Sequence, residues 1–214
     1  MTRRKEKLLN EIKEATVSGN REKVLTLIDQ ACAQGIKPET IIEKSLIDAM
    51  TIVGERFKTN EIYVPEMLIA ARAMKAGLEK LKPMLIGGDL RFITKVVIGT
   101  VRGDLHDIGK NLVCIMMEGA GIEVHDLGVD IGPEKFVEAV ANHKPRFIGL
   151  SALLTTTMPV MKDTIRALEV AGLREKVKVL IGGAPITQKY ADEIGADGYA
   201  ANAAEGVEII KKFL

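Results

Sequence analysis

Residues Arg102-Gly103-Asp104-Leu105-His106-Asp107-Ile108-Gly109 put a carboxylate and an imidazole two positions apart, in a segment that Gly103 and Gly109 free from ordinary backbone limits. A histidine beside a carboxylate is the smallest unit of a metal ligand with its orienting partner. The carboxylate takes the proton on one ring nitrogen and leaves the other free to coordinate. A histidine that only satisfies the backbone of its own loop fits this segment equally well, and the segment alone leaves both readings open.

A second polar segment begins at Ser151-Ala152-Leu153-Leu154 and runs into Thr155-Thr156-Thr157. Consecutive threonines are poor helix interior and good loop or cap residues. Alone they mark a helix start; beside Asp104 and His106 they would offer hydroxyls to a ligand or to the Asp–His pair. A third segment, Gly182-Gly183-Ala184-Pro185, lets a flat or extended ligand approach the backbone closely. Taken by itself, a plain tight turn is the simpler reading.

These segments need elements to bring them together. Up to Pro83 the apolar residues recur at helical spacing, through Leu8, Leu9, Ile12 and Ala15, then Val24 to Cys32, then Ile41 to Phe57, then Leu68 to Leu81. Four amphipathic helices with short connections predict a small bundle over residues 1–90. From 91 to 214 the pattern changes. Short apolar strands at 95–100, 122–127, 146–151, 177–181 and 198–200 alternate with helices. Such alternation predicts an α/β domain, a parallel sheet covered on both faces. With the flavodoxin-like order 2-1-3-4-5 of a doubly wound five-stranded sheet, strands one and three meet at the switch point and ligands bind beyond the strand ends. All three segments follow strands, so all three fall there.

Asp104-x-His106-x-x-Gly109, then 41 residues, then Ser151-x-Leu153, then 28 residues, then Gly182-Gly183, resembles the cobalamin-binding fingerprint. It is shared by methionine synthase, the corrinoid proteins of methyltransferase systems and the B12-dependent mutases. In the first half, Val53-Gly54-Glu55-Arg56-Phe57, Glu61-Ile62-Tyr63-Val64-Pro65-Glu66-Met67-Leu68 and Ala70-Ala71-Arg72-Ala73-Met74 resemble a helical cap. That cap precedes the B12 domain in methionine synthase and in small corrinoid proteins serving methanol, methylamine or aryl-ether methyltransferases. The resemblance covers nearly the whole chain.

The resemblance implies a cobalamin or related cobamide, with His106 as lower axial ligand to cobalt. Asp104 would bond its other ring nitrogen, and Thr157 would supply the relay hydroxyl. The Asp–His pair would release a proton as the histidine binds and take one up as it leaves. Ser151 and Leu153 would meet the nucleotide tail, and Gly182 and Gly183 would let it lie against backbone. Gly103, Asp107, Gly109 and Thr155 complete the implied cofactor contacts. From the cap, Tyr63, Val64, Met67 and Leu68 would cover the methyl face, with ordinary core packing the competing reading for each. A hinge is expected between Lys82 and Leu90. The implied role is methyl carrier in a multi-protein system, between a donor-specific methyltransferase and a methyl-acceptor methyltransferase, served by a reductive activase.

Composition narrows the alternatives. Lys plus Arg number 30 and Asp plus Glu 29, with no Trp, so nothing draws the chain toward nucleic acid or an anionic membrane. No apolar run approaches the ~18 residues that span a bilayer. Cys32 and Cys114 stand apart in helical patterns and read as buried free thiols, which points to the cytoplasm. A B12-binding subunit of an adenosylcobalamin mutase would share the fingerprint but would have no use for the cap. A B12-dependent sensor would need a DNA-binding segment for which no residues remain.

Overall fold

The computed structural model describes residues 3–84 and 92–214. The expected hinge falls from residue 85 onward outside the described residues, as does the expected boundary at 90/91. The chain divides into two compact units, residues 1–91 with 119–121, and residues 92–118 with 122–214.

In the helical unit α1 (Arg3–Val17) buries Leu8, Leu9, Ile12 and Ala15 along one stripe. Asn20 opens α2 (Arg21–Ala33) by accepting the Lys23 N–H at 3.0 Å. Between them Gly19 has φ +71°, and a Cβ there would lie 2.1 Å from Ile69 Cγ2, so the turn requires glycine. The third expected helix is a continuous run of three segments, α3 (Pro38–Ile41), a π-helical turn (Ile42–Ile47) and α4 (Asp48–Lys58). Its buried residues come in adjacent pairs: 41 and 42, 45 and 46, 49 and 50, 53 and 54. Ser45, fully buried, donates its hydroxyl to the Leu9 carbonyl at 2.9 Å. In α5 (Val64–Leu81), Glu66 accepts the Tyr63 N–H at 3.1 Å and so caps the helix start. A short 3₁₀ turn (Lys82–Met84) follows α5.

The second unit is the expected α/β fold. Its strands are β1 (Lys95–Thr100), β2 (Glu123–Asp126), β3 (Phe147–Ser151), β4 (Lys178–Gly182) and β5 (Gly198–Ala200). They form one parallel sheet in the order β2-β1-β3-β4-β5. The connecting helices are α6 (Ile108–Gly119), α7 (Pro133–His143), α8 (Pro159–Val170), α9 (Gln188–Ile194) and α10 (Ala203–Lys212). Val97, Ile148, Val179 and Ile181 meet Phe136, Ala139, Met161, Ile165 and Leu168 in a core between the sheet and α7 and α8. Every residue of β1 after Lys95 is buried, as a central parallel strand with both faces covered must be. Register places Thr100 beside Ser151 and Ser151 beside Gly182, so the three chemistry-bearing segments leave the sheet side by side. No described helix is long and apolar enough to cross a membrane.

Candidate functional site

Asp104 is fully buried, and its carboxylate accepts from five donors. Oδ1 takes the His106 ring at Nδ1 (2.7 Å) and the His106 backbone N–H (3.1 Å). Oδ2 takes the N–H groups of Leu153 (2.7 Å) and Leu154 (3.1 Å) and lies 2.9 Å from Thr157 Oγ1. The Leu154 carbonyl is 2.8 Å from the same hydroxyl; the carboxylate is the stronger acceptor for its one proton. Burial alone would raise the Asp104 pKa. The Leu153 and His106 N–H groups, the His106 ring and the Thr157 hydroxyl outweigh it and hold the carboxyl well below the usual range. Asp104 is therefore a permanent anion with no lone pair to spare.

That anion fixes His106. An ionised carboxylate can only accept, so Nδ1 carries the proton and the neutral ring leaves Nε2 unprotonated. The His106 side chain is half exposed. Around it Leu105, Ile108, Leu153 and Leu154 are open to solvent, Ile108 to 84%. Leu105 and Ile108 flank the imidazole in sequence, and Leu153 and Leu154 follow the strand beside it, so the His106 loop carries an unusual share of exposed apolar surface. At Gly109 a Cβ would meet nothing within 4 Å, which leaves open space there.

The other expected residues divide. Thr157 is buried against Asp104, and Gly103, with φ +82°, turns the chain between Arg102 and Asp104. Gly103 N–H donates to Asp130 Oδ1 at 2.7 Å. Leu153 presents both its exposed side chain and its N–H. Ser151 ends β3 half-buried, and its carbonyl accepts the Val101 N–H at 2.9 Å. Thr155 is exposed. Asp107 opens α6, with its carboxylate held by Asn111 Nδ2 at 3.0 Å. Gly182 is half-buried, and a Cβ at Gly183 would lie 1.8 Å from the Ala152 carbonyl oxygen. Gly183 is thus required where two site loops press backbone to backbone.

In the helical unit Tyr63 and Val64 are exposed and Leu68 is half-buried. Met67 departs from the expectation: it is fully buried, on the inward stripe it shares with Ala70, Met74 and Leu81, each three or four residues or a multiple of a turn away. Its side chain has no surface to offer a ligand. The thiols differ as well, since Cys114 is buried and Cys32 only partly so.

Sequence reasoning missed the Leu154 N–H, the exposed Leu105 and Ile108, and Thr100, whose hydroxyl donates to the His106 carbonyl at 2.9 Å. For Leu105 and Ile108 a signal existed, because large apolar side chains alternate with polar ones in a glycine-flanked loop. Main-chain donors leave no trace in a sequence.

Comparison with known proteins agrees with the geometry. Models of the B12 binding domain match residues 94–208 and residues 8–82. The chain is 45% identical over 211 residues to dimethylamine corrinoid protein 1 of Methanosarcina acetivorans, covering 98% of this chain and 99% of that protein. It is 39% identical over 212 residues to trimethylamine corrinoid protein 1 of the same organism, covering 98% of each. Among solved structures, a cobalamin-binding protein from Desulfitobacterium hafniense shares 36% identity at a TM-score of 0.80, over 96% of this chain and 98% of that one. The methanol:cobalamin methyltransferase complex of Methanosarcina barkeri gives 29% identity and a TM-score of 0.89, over 97% of this chain and 79% of the matched one. With both halves matched and relatives similar from end to end, the chain belongs to the family of methyltransferase corrinoid proteins.

Proposed function

We propose that this protein holds a cobamide against the loops of its α/β unit and carries a methyl group on it from a donor-specific methyltransferase to an accepting one. The observation that carries the reading is the single imidazole, locked by a buried carboxylate, with its outer nitrogen open among exposed apolar side chains. Among the described residues no group of three or more His, Cys, Asp or Glu side chains could hold a metal ion. A bare zinc-type ion takes three or four protein ligands. One imidazole suits a metal that arrives already held by a macrocycle and needs only an axial ligand. The donor set and the apolar surround therefore fit a corrinoid.

When bound, the cobamide would supply a cobalt centre that accepts and releases a methyl group. The chain's own residues do the rest. His106 offers Nε2. Asp104 keeps the proton on Nδ1 and raises the basicity of the ring as a ligand. Thr157 and the Leu153 and Leu154 N–H groups hold Asp104 in place, while Leu105, Ile108, Leu153 and Leu154 exclude water. Residues 1–90 act as the cap, with Tyr63 and Val64 as its available apolar side chains. Methylated amines, which the relatives' names carry, are the donor class to test first.

Reconstitution with hydroxocobalamin should leave the protein coloured after desalting, at one corrinoid per chain. In the cobalt(II) state, electron spin resonance should show three-line nitrogen splitting, two-line in protein made with nitrogen-15 histidine. His106→Ala should lose the splitting. A colourless wild-type protein would overturn the function; splitting indifferent to label and substitution would overturn His106 as ligand.

A further inference from the structure

Thr100 is the last residue of β1 and is fully buried. A valine would pack as well there and suit a strand better, and a buried hydroxyl costs stability unless it is bonded. Its bond runs to one place, the His106 carbonyl at 2.9 Å. The Thr100 main chain is occupied too. Its N–H donates to the Gly128 carbonyl and its carbonyl accepts the Ile131 N–H, each at 3.0 Å, while its strand register sets it beside Ser151. One residue thus ties the His106 turn to the 128–131 loop and to the end of β3.

His106 is then held at three atoms. Asp104 takes its backbone N–H and its Nδ1, and Thr100 takes its carbonyl. The two anchors differ in kind. Asp104 sets which ring nitrogen is protonated, whereas Thr100 fixes the peptide from which the ring projects. We infer that Thr100 is a positioning residue that sets the direction of His106 Nε2 and, through it, how fully the histidine engages the cobalt of a bound cobamide.

This inference rests on the corrinoid-carrying reading, and its tests separate the two. Thr100→Val removes the hydroxyl at nearly constant shape, and Thr100→Ser keeps it. A net hydrogen bond of about 1 kcal/mol corresponds to a roughly fivefold change in an equilibrium. In ligand-free protein, solvent exchange of the His106 Nδ1 proton, followed by nuclear magnetic resonance, should be about fivefold faster in the valine variant and like wild type in the serine variant. In the cobalt(II) holoprotein, the ratio of nitrogen-split to unsplit resonance signal should fall about fivefold with valine and be restored with serine. Ile98→Val, which trims the same strand without touching a hydroxyl, should lower stability and move neither readout. Should the valine variant fail to fold, Thr100→Ala against Thr100→Ser makes the same comparison. Failure of the wild type to bind corrinoid would sink the reading beneath. Normal binding, with both readouts unmoved in a folded hydroxyl-free variant, would sink the role of Thr100 alone.

Discussion

Two histidines of the α/β unit meet a carboxylate two residues before them at nearly the same distance. His106 Nδ1 lies 2.7 Å from Asp104 Oδ1, and His125 Nε2 lies 2.8 Å from Glu123 Oε1. The surroundings separate them. Asp104 is wholly buried beneath backbone donors, while the Glu123 side chain is a quarter exposed and shares its other oxygen with Lys95 at 3.3 Å. His106 sits in a loop with its outer nitrogen open, whereas His125 lies in β2 with its ring stacked on His143, centroids 4.0 Å apart. A carboxylate–histidine contact therefore does not make a ligand. What sets the His106 pair apart is the burial of its carboxylate and the freedom of its second nitrogen.

The sharpest way to break this contrast is stability. Asp104→Ala leaves the Leu153 and Leu154 N–H groups without their acceptor, and should destabilise the protein by about 2–6 kcal/mol, at about 1–3 for each unsatisfied donor. Glu123→Ala removes a partly exposed pair and should cost under about 1 kcal/mol. Equal losses in urea titrations would erase the distinction.

A smaller effect concerns acid. The Asp104 pKa is depressed in the folded state, so its contribution is fully present above the unfolded carboxyl value of ~3.9 and is lost as pH falls toward the folded value. Over that window the unfolded chain binds a proton that the folded one does not. Wild type should then lose up to about 1.4 kcal/mol more per pH unit between pH 4 and pH 2 than Asp104→Asn does. Parallel acid curves would show that Asp104 carries no such linkage.

The smallest effect is kinetic. Burial, then the charge of Asp126, push the Cys114 thiol up to about 12, so labelling at pH 8 proceeds through opening of α6. In a Cys32→Ser background, Asp104→Asn should speed labelling of Cys114 several-fold and His125→Ala should leave it unchanged. Equal acceleration by both would mean that the two pairs support the helix alike.

The comparison also explains what could be read in advance. The parallel sheet was legible in the alternation of strands and helices, and the meeting of three loops followed once the flavodoxin-like strand order was assumed. Asp104 and His106 stood out by type and spacing. Their environment did not, since it is made of main-chain N–H groups at Leu153 and Leu154 and of a threonine that the sequence shows only as the last residue of a strand. Glu123-x-His125 has the same spacing as Asp104-x-His106, so spacing alone does not tell them apart. For Met67 the sequence leaves cap contact and core packing equally open, and its place on the inward stripe of α5 decides for the core.

The π turn at Ile42–Ile47 absorbs one residue of chain length. The buried pairs of this helix repeat every four residues, and at 100° per residue each repeat overshoots a full turn by about 40°. From residue 41 to residue 53 the drift would reach about 120°, carrying the second half of the stripe out of the core. A π turn accommodates one extra residue, about 100° of phase, and so nearly cancels the drift. Deleting one of the exposed residues 43 and 44 would therefore restore a regular helix with Ala49, Met50 and Val53 still facing the core. A regular helix forced on all the native residues is the costly change, at about 1.5–3 kcal/mol for each large side chain turned out of the core.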